Sequence, residues 1–568
     1  MENAVNSAIA ALSDVSEAFD WTTARLLDSD RTNCYPPLRV LQYIGEAVLR
    51  LIAGGTLPIS RNPAKGCAME FSAFELLTAL ALLFLAIYYY FTSTYDFWSS
   101  RHVEHPKPEL FFGNFKKMML GKSSLGDYLY EQYQYYKNEP MFGLYARRTP
   151  VLVVTDPEYI KDVLIKDFSS FSDRGMTIHE KVEPLSQHLF SLEPARWRPL
   201  RIKLSPTFTS GKLKEMFYLL AECGNSFETL IDNMVKKNPV IECRELTAKF
   251  TTEVIGICVF GLKAEAMADG DSEFRKIGRK VFENSWMKFI KFRIRDAMPW
   301  LFNLLGPFFY DHELNGFFIN LMKQTMEYRK KNNVRRNDFV DLLMDIKDDP
   351  SKVGDIEMTD ALITAQAFVF FIAGFETSST TISNALYELA LNPSVQEKLR
   401  EEIIEELAND NGSLKYETIK GMKYLHKVFC ETLRKYPPVT VMMRKSMQPY
   451  TFSGTKVTIP KGMRVWIPAY AIQRDPAIYP DPDTFDPERF SEESIKQRHP
   501  SFYLPFGDGP RNCIGARFAN YQSKIGIIQV LRNYKVQVCD KTCIPYVNDP
   551  RAFLLAPIGG INLKFTRL

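Results

Sequence analysis

The sequence predicts a mainly α-helical chain with a minor β component, an α+β class, tied to a membrane by one N-terminal span. Three observations carry this. Helical periodicity dominates from about residue 123 to about residue 436. Short β-branched runs broken by turn residues are concentrated at 439–470 and 534–568. An apolar run covers residues 71–91, with Glu75 its only charge. Roughly 20 such residues suffice to cross a bilayer as a helix. The chain has 568 residues, 46% of them hydrophobic, which is ample for a large core and shows no bias toward disorder. A formal net charge of +4 is small for this length and argues against a dedicated nucleic-acid binder.

Residues 1–68 hold weak helical patterns, as at 38–51, and a Gly-Gly turn at 54–55, but no motif. Met69 then leads directly into the apolar run, so the anchor is placed at 69–91. Tyr88, Tyr89, Tyr90 and Phe91 suit one membrane interface as an aromatic belt. Arg101, Lys107, Lys116, Lys117 and Lys122 follow, which puts the C-terminal side in the cytosol. Residues 1–68 are expected to be an extension outside the working protein; leaving them off the 568 gives 500 residues from Met69. A mitochondrial leader is disfavoured by Glu2, Asp14, Glu17, Asp20, Asp28 and Asp30. His105-Pro-Lys-Pro108 stiffens a linker drawn at 92–122.

The catalytic domain is drawn at 123–568. Residues 125–136 read as a helix and 150–155 as a strand, and Asp156-Pro157 opens a helix to residue 164. A long helix is expected from 359 to 391, ended by Pro393, and another from 516 to 531. Nine scattered cysteines, with no Cys-x-x-Cys pair, fit a reducing compartment. His102 and His105 lack further ligands nearby.

Chemistry concentrates at Pro505-Phe-Gly-Asp-Gly-Pro-Arg-Asn-Cys-Ile-Gly515. Cys513 reads as a thiolate that binds a haem iron. Glycines at 507, 509 and 515 allow a tight turn and close approach to a flat cofactor. Backbone N–H groups in such a turn can tune the sulfur, and a helix start just beyond favours its anion. Arg511 is placed to reach a haem carboxylate, and Phe506 to pack an apolar ring near the sulfur.

This stretch resembles the haem-binding signature of the cytochrome P-450 family, FxxGxRxCxG, with Phe506, Gly509, Arg511, Cys513 and Gly515 all present. The resemblance covers about residues 70–568 and implies the family's fold, haem b on a cysteine thiolate, and monooxygenase activity. Trp197 and Arg201 sit at i and i+4, so both can face one haem propionate. Ala373-Gly-Phe-Glu-Thr-Ser378 looks like the family's A/G-G-x-D/E-T motif, which implies that Glu376 and Thr377 form an acid–alcohol proton relay where the helix opens locally. Glu431, Arg434 and Arg489 resemble the family's structural triad. Arg444 matches an arginine of the family that grips a haem propionate.

No Gly-x-Gly-x-x-Gly or P-loop motif is present. Electrons are therefore expected from a partner, an NADPH-cytochrome reductase in microsomal members, with cytochrome b5 as a further donor. Arg198, Lys203, Arg517 and Lys524 are candidates for the docking face. Apolar stretches at 439–443 and 552–555 favour a lipophilic small-molecule substrate. Phe168-Ser-Ser-Phe-Ser-Asp-Arg-Gly175 and the opening at 93–98 resemble the insect family-six branch, associated with plant toxins and insecticides. The implied location is the endoplasmic reticulum membrane. An endogenous lipid or hormone as substrate, and a haem-thiolate protein that binds without oxidising, stay open at this point.

Overall fold

A computed structural model describes residues 73–268, 272–282, 286–336, 338–349, 353–354, 356–552 and 554–568. The 1–68 extension, with its helix and turn readings at 38–51 and 54–55, lies outside the described residues. The chain divides into two units, the first ending at Ser93 and the second running from Thr94 to Leu568.

In the first unit, helix α1 spans Ala73–Thr92. Leu77, Leu83, Phe84, Leu85 and Tyr88 on it are all more than half exposed. Its apolar part Leu80–Thr92 is shorter than a full span.

The helices of the second unit that position the site are α2 Leu125–Tyr135, α3 Pro194–Leu204, α4 Phe217–Lys237, α5 Cys243–Ile255, α6 His312–Lys331, α7 Asp360–Leu391, α8 Pro393–Asn409, α9 Lys423–Lys435 and α10 Ala516–Leu531. Strands are short: β1 Met141–Ala146, β2 Thr149–Val154, β3 Val240–Glu242, β4 Met442–Lys445, β5 Tyr450–Thr451, β6 Thr458–Ile459, β7 Arg464–Ile467, β8 Tyr534–Gln537 and β9 Asn562–Arg567. They form sheets in the orders β1-β2-β7-β4, β3-β9-β8 and β5-β6. In the first sheet β2 and β7 run parallel, and the other pairs are antiparallel. The helices read at 125–136, 359–391 and 516–531 match α2, α7 and α10 to within a residue. The helix read at 157–164 ends at Lys161 and passes into a wider turn at Asp162–Lys166. β1 and β3 were not anticipated: β1 carries no alternation, and β3 has three residues.

The stretch read as a linker packs into the second unit. Trp98 is fully buried, and its indole N–H donates to the Leu144 carbonyl (3.0 Å). Val103 and Phe115 are buried as well.

α7 is the centre of the body. The Thr359 hydroxyl caps it by accepting from the Leu362 N–H (3.1 Å). Among the described residues α7 is the helix long and apolar enough to cross a membrane, but 72% of its most apolar window is buried, so it is a core helix. α5 lies against it: Thr251 donates to the Phe375 carbonyl (2.9 Å) and Thr247 to the Ser379 carbonyl (3.1 Å). Gly374 permits this approach, because a Cβ there would run into the Ile255 side chain. α10 closes the other side, with Ile382, Leu386, Ile525 and Ile528 in one fully buried cluster. Each such side chain contributes about 1.5–3 kcal/mol of burial. Phe371 and Phe375 also belong to the core, packed with Phe274 and Phe318.

The Glu431–Arg434 pair is completely buried, with Nε to Oε2 at 2.7 Å and Nη2 to Oε1 at 2.8 Å. Arg489 Nε lies 3.5 Å from Glu431. Arg434 also donates to the carbonyls of Gln473 (2.9 Å) and Pro482 (2.7 Å). The arrangement ties α9 to the segment before the cysteine loop, so its service is to the fold.

Candidate active site

The cysteine loop is closed by the Cys513 N–H donating to the Phe506 carbonyl (2.8 Å) and the Asn512 N–H donating to Gly509 (3.0 Å). Gly507 and Gly509 have φ of 68° and 69°, which L side chains rarely adopt. A Cβ at Gly509 would also strike the Leu164 carbonyl. Gly515 plays a different part. Its φ is −93°, so the turn does not need a glycine there, and a Cβ would meet nothing within 4 Å. That space suits a flat group beside the loop. The Phe506 ring stacks on Phe429 of α9, with centroids 6.4 Å apart.

Cys513 is exposed, yet protein crowds it closely enough that burial pushes its thiol up. A hydrogen bond from the Gly515 backbone and the charges of Arg201 and Arg174 pull the other way.

Trp197 and Arg201 do share a face of α3, but they meet the loop separately. Arg201 donates to the Asn512 carbonyl (3.0 Å) and side-chain oxygen (2.8 Å). The Trp197 ring lies under the Arg511 guanidinium, 4.2 Å from its centroid. Arg511 is 2% exposed and donates to the Leu192 carbonyl (2.8 Å), while its Nε and Nη1 have no partner among the described residues. Arg444, on β4, is 3% exposed; it donates to the Met443 carbonyl (2.9 Å), and its Nε is likewise unpartnered. Burial pushes Arg511 down to about 9 and Arg444 to about 10.

Arg174 completes this set, although the sequence pointed to it only through the branch resemblance. It donates to the Arg511 carbonyl (3.0 Å) and lies over the Phe190 ring. Burial, then Arg444 and Arg511, hold its guanidinium well below the usual range. The nearby carboxylates are committed elsewhere, Asp173 to Lys445 and Glu193 to Arg196. Arg174, Arg201, Arg444 and Arg511 thus gather about the cysteine loop, and among the described residues Arg444 Nε and Arg511 Nε and Nη1 have no hydrogen-bond partner. A group bringing its own carboxylates fits that deficit.

On α7, Ala373 is exposed and Thr377 half-buried although most of the helix around them is buried. At i and i+4 they mark one less covered face of α7. The helix stays α-helical through this motif; it does not open. Thr377 donates its hydroxyl to the Ala373 carbonyl (2.6 Å), which leaves its lone pairs free to accept. Glu376 is buried and ion-paired with Arg244 of α5, a partner that no local spacing announced. His188, beside Phe368 and Phe190, was also missed; burial, then Arg174, keeps it neutral, with its pKa pushed down to about 3.

Of the basic residues offered for docking, Arg198, Lys203 and Arg517 are exposed. Lys524 is not: it is 4% exposed, and burial pushes it down to about 8. Among the described residues no cluster of His, Cys, Asp and Glu could hold a bare metal ion.

A closely crowded thiol, the open space at Gly515 and buried guanidinium nitrogens without partners fit a haem-thiolate protein. A family model described as Cytochrome P450 matches residues 103–565. The chain is 40% identical to probable cytochrome P450 6a14 of Drosophila melanogaster over 493 residues, 84% of this chain and 96% of the relative. It is 38% identical to cytochrome P450 6k1 of Blattella germanica, covering 88% and 98%, and 38% identical to cytochrome P450 6B1 of Papilio polyxenes, covering 87% and 99%. The chain belongs to the cytochrome P450 family and is similar to its insect family-six members. It is an oxidoreductase of the P450 monooxygenase type, which uses haem on a cysteine thiolate and electrons supplied by a reductase.

Proposed function

We propose that this monooxygenase oxidises foreign lipophilic compounds, plant toxins and insecticides among them, from the endoplasmic reticulum membrane. The likeness to insect family-six members supports the substrate class. The apolar stretch at 439–443 and the buried Leu554 and Leu555 support a lipophilic ligand. Residues 69–91 are the anchor in this reading, residues 1–68 an extension outside the working protein, and the cytosolic catalytic body begins near Thr94.

The observation that carries the site reading is the pair of buried guanidiniums, Arg444 and Arg511, whose unpartnered nitrogens lie by the cysteine loop. Cys513 is the thiolate ligand. Arg444 and Arg511, with Arg174, Arg201 and Trp197 around them, hold the haem carboxylates. Phe506 backs the loop against α9. With haem bound, the thiolate's electron push favours O–O cleavage. Glu376 and Thr377 would hold the protons that this chemistry needs, Thr377 as acceptor on the less covered face of α7 and Glu376 as donor through water. Arg198, Lys203 and Arg517 receive an NADPH-cytochrome reductase, with cytochrome b5 as a second donor.

The test is the carbon monoxide difference spectrum of the reduced enzyme in membranes. A Soret band strongly red-shifted from that of histidine-ligated haem is expected, and Cys513→Ser should abolish both the band and turnover. Haem bound without the shifted band would overturn the ligand assignment. Turnover on a panel of plant toxins, insecticides, sterols and fatty acids then separates foreign from endogenous substrates. Strong preference for one endogenous lipid would overturn the substrate reading.

A further inference from the structure

Buried polar atoms without partners extend away from Glu376 along α7. Among the described residues these are Thr380 Oγ1 and Arg244 Nε, with Asn384 and the Tyr546 hydroxyl beside them, placed to share one hydrogen bond. Thr380 and Asn384 are 1% and 0% exposed. A buried polar group left unsatisfied costs about 1–3 kcal/mol. Native proteins meet that cost with ordered water where the site is polar.

The geometry suits water. Glu376, Thr380 and Asn384 fall at i, i+4 and i+8, so they form one file on α7. Successive rungs of such a file are about 6 Å apart. One water making two hydrogen bonds of about 2.8 Å spans each gap. Arg244 reaches into the file from the first turn of α5 and ion-pairs with Glu376. Both Arg244 and Asn384 lie close enough to the Tyr546 hydroxyl to oppose the rise that burial imposes on it.

The file has one closed and one open end. Beyond Asn384, Glu388 is consumed by Lys435 (2.7 Å) and the Tyr436 hydroxyl (2.5 Å). Tyr546 is half-buried, and its neighbours Cys543, Ile544, Pro545 and Val547 are exposed. Tyr387 pins this loop by donating to the Cys543 carbonyl (3.1 Å).

We propose that Tyr546, Asn384, Thr380 and Arg244 line a water-filled proton path from the surface at the 543–547 loop to Glu376. Arg244 is the positioning residue that holds Glu376 at its inner end. The inference rests on the relay reading of Glu376 given above. The balance is RH + O2 + 2 H+ + 2 e− giving ROH + H2O. The electrons come from NADPH through the reductase, and the path carries the two protons. No bond within the protein changes except the O–H bonds exchanged along the water chain.

The experiment uses the full-length holoenzyme in membranes with its reductase, at saturating substrate. It measures the fraction of NADPH recovered as product and the solvent isotope effect on kcat. Asn384→Leu, which dries the file, and Arg244→Gln should lower coupling about 3- to 10-fold and raise the isotope effect. Arg244→Lys should restore most of the coupling. The thermal midpoint of Asn384→Leu should change little, since the amide is removed together with the water that meets it. A high-resolution crystal structure should show ordered water joining Tyr546, Asn384 and Thr380. A dry file there, or wild-type coupling in Asn384→Leu while Glu376→Gln uncouples, overturns the path. A lowered thermal midpoint in Arg244→Gln with no rescue by lysine overturns the part given to Arg244. Wild-type coupling in Glu376→Gln overturns the relay reading itself, and this path with it.

Discussion

Arg434 and Arg511 are equally withdrawn from solvent, at 0% and 2% exposure, yet their surroundings differ completely. Arg434 has a carboxylate on Nε and Nη2 and carbonyls on Nη1 and Nη2. Arg511 has one carbonyl, a tryptophan face, and two nitrogens with nothing to bind. Its neighbours Arg174 and Arg444 add like charge. A buried charge pair that is fully satisfied is a finished structural object. Buried charges left unsatisfied are tolerated where something outside the chain completes them. The same residue type thus marks fold at one place and a ligand at the other, and the accounting of partners tells them apart.

The comparison is broken most severely at the closed site. Glu431→Gln leaves Arg434 and Arg489 without their counter-charge, and a loss of about 3–5 kcal/mol is expected. Unfolding of the catalytic body by heat or denaturant, followed by circular dichroism, reads this directly. A variant as stable as the parent would remove the distinction between the two sites.

At the open site the expected result is opposite in kind. Arg444→Leu or Arg511→Leu should weaken haem retention about 10- to 100-fold, since a charge-assisted hydrogen bond is worth about 1.5–3 kcal/mol. Haem-free protein should keep its thermal midpoint or gain, because an unpaired buried charge is removed. Haem transfer to apomyoglobin measures the first effect, and calorimetry of the haem-free chain the second. Loss of stability without loss of haem affinity would place Arg511 with Arg434 as a fold residue.

A third kind of buried group sharpens the contrast by staying neutral. Burial, then the charge of Lys524, pushes His426 on α9 down to about 4. Above pH 6.5 it is neutral whether the chain is folded or not. Between 6.5 and about 4 the unfolded chain takes up a proton that the native one does not, so stability falls as the pH falls. The slope is at most about 1.4 kcal/mol per pH unit. Thermal midpoints from pH 7 to 4.5 should therefore fall less steeply in His426→Gln than in the parent. Equal slopes would mean that His426 accepts its proton in place.

Much of the site was legible because its parts are close in sequence. The loop from Phe506 to Gly515 needs only local spacing, left-handed glycines and a helix start. The same holds for the Glu431–Arg434 pair, three residues apart on one helix. Trp197 and Arg201 were placed on one face of their helix by the i, i+4 spacing. The fold sent Arg201 to Asn512 and set Trp197 under Arg511. Lys524 looked like surface charge because a lysine on a helix usually is, and only the packing around it says otherwise.

The sequence by itself determined the elements whose cause is local: the helix periods, the caps at Thr359 and Asp156, the turn that presents Cys513, and the family those motifs announce. Only the tertiary structure decided which charges would be paired. Arg174 meets the Arg511 carbonyl across 337 positions, and Arg244 meets Glu376 across 132. Partners that far apart leave no period or spacing in the chain. They are chosen by how α5 and α7 pack and by where the cysteine loop lands, and the energy of a buried charge depends on that choice alone.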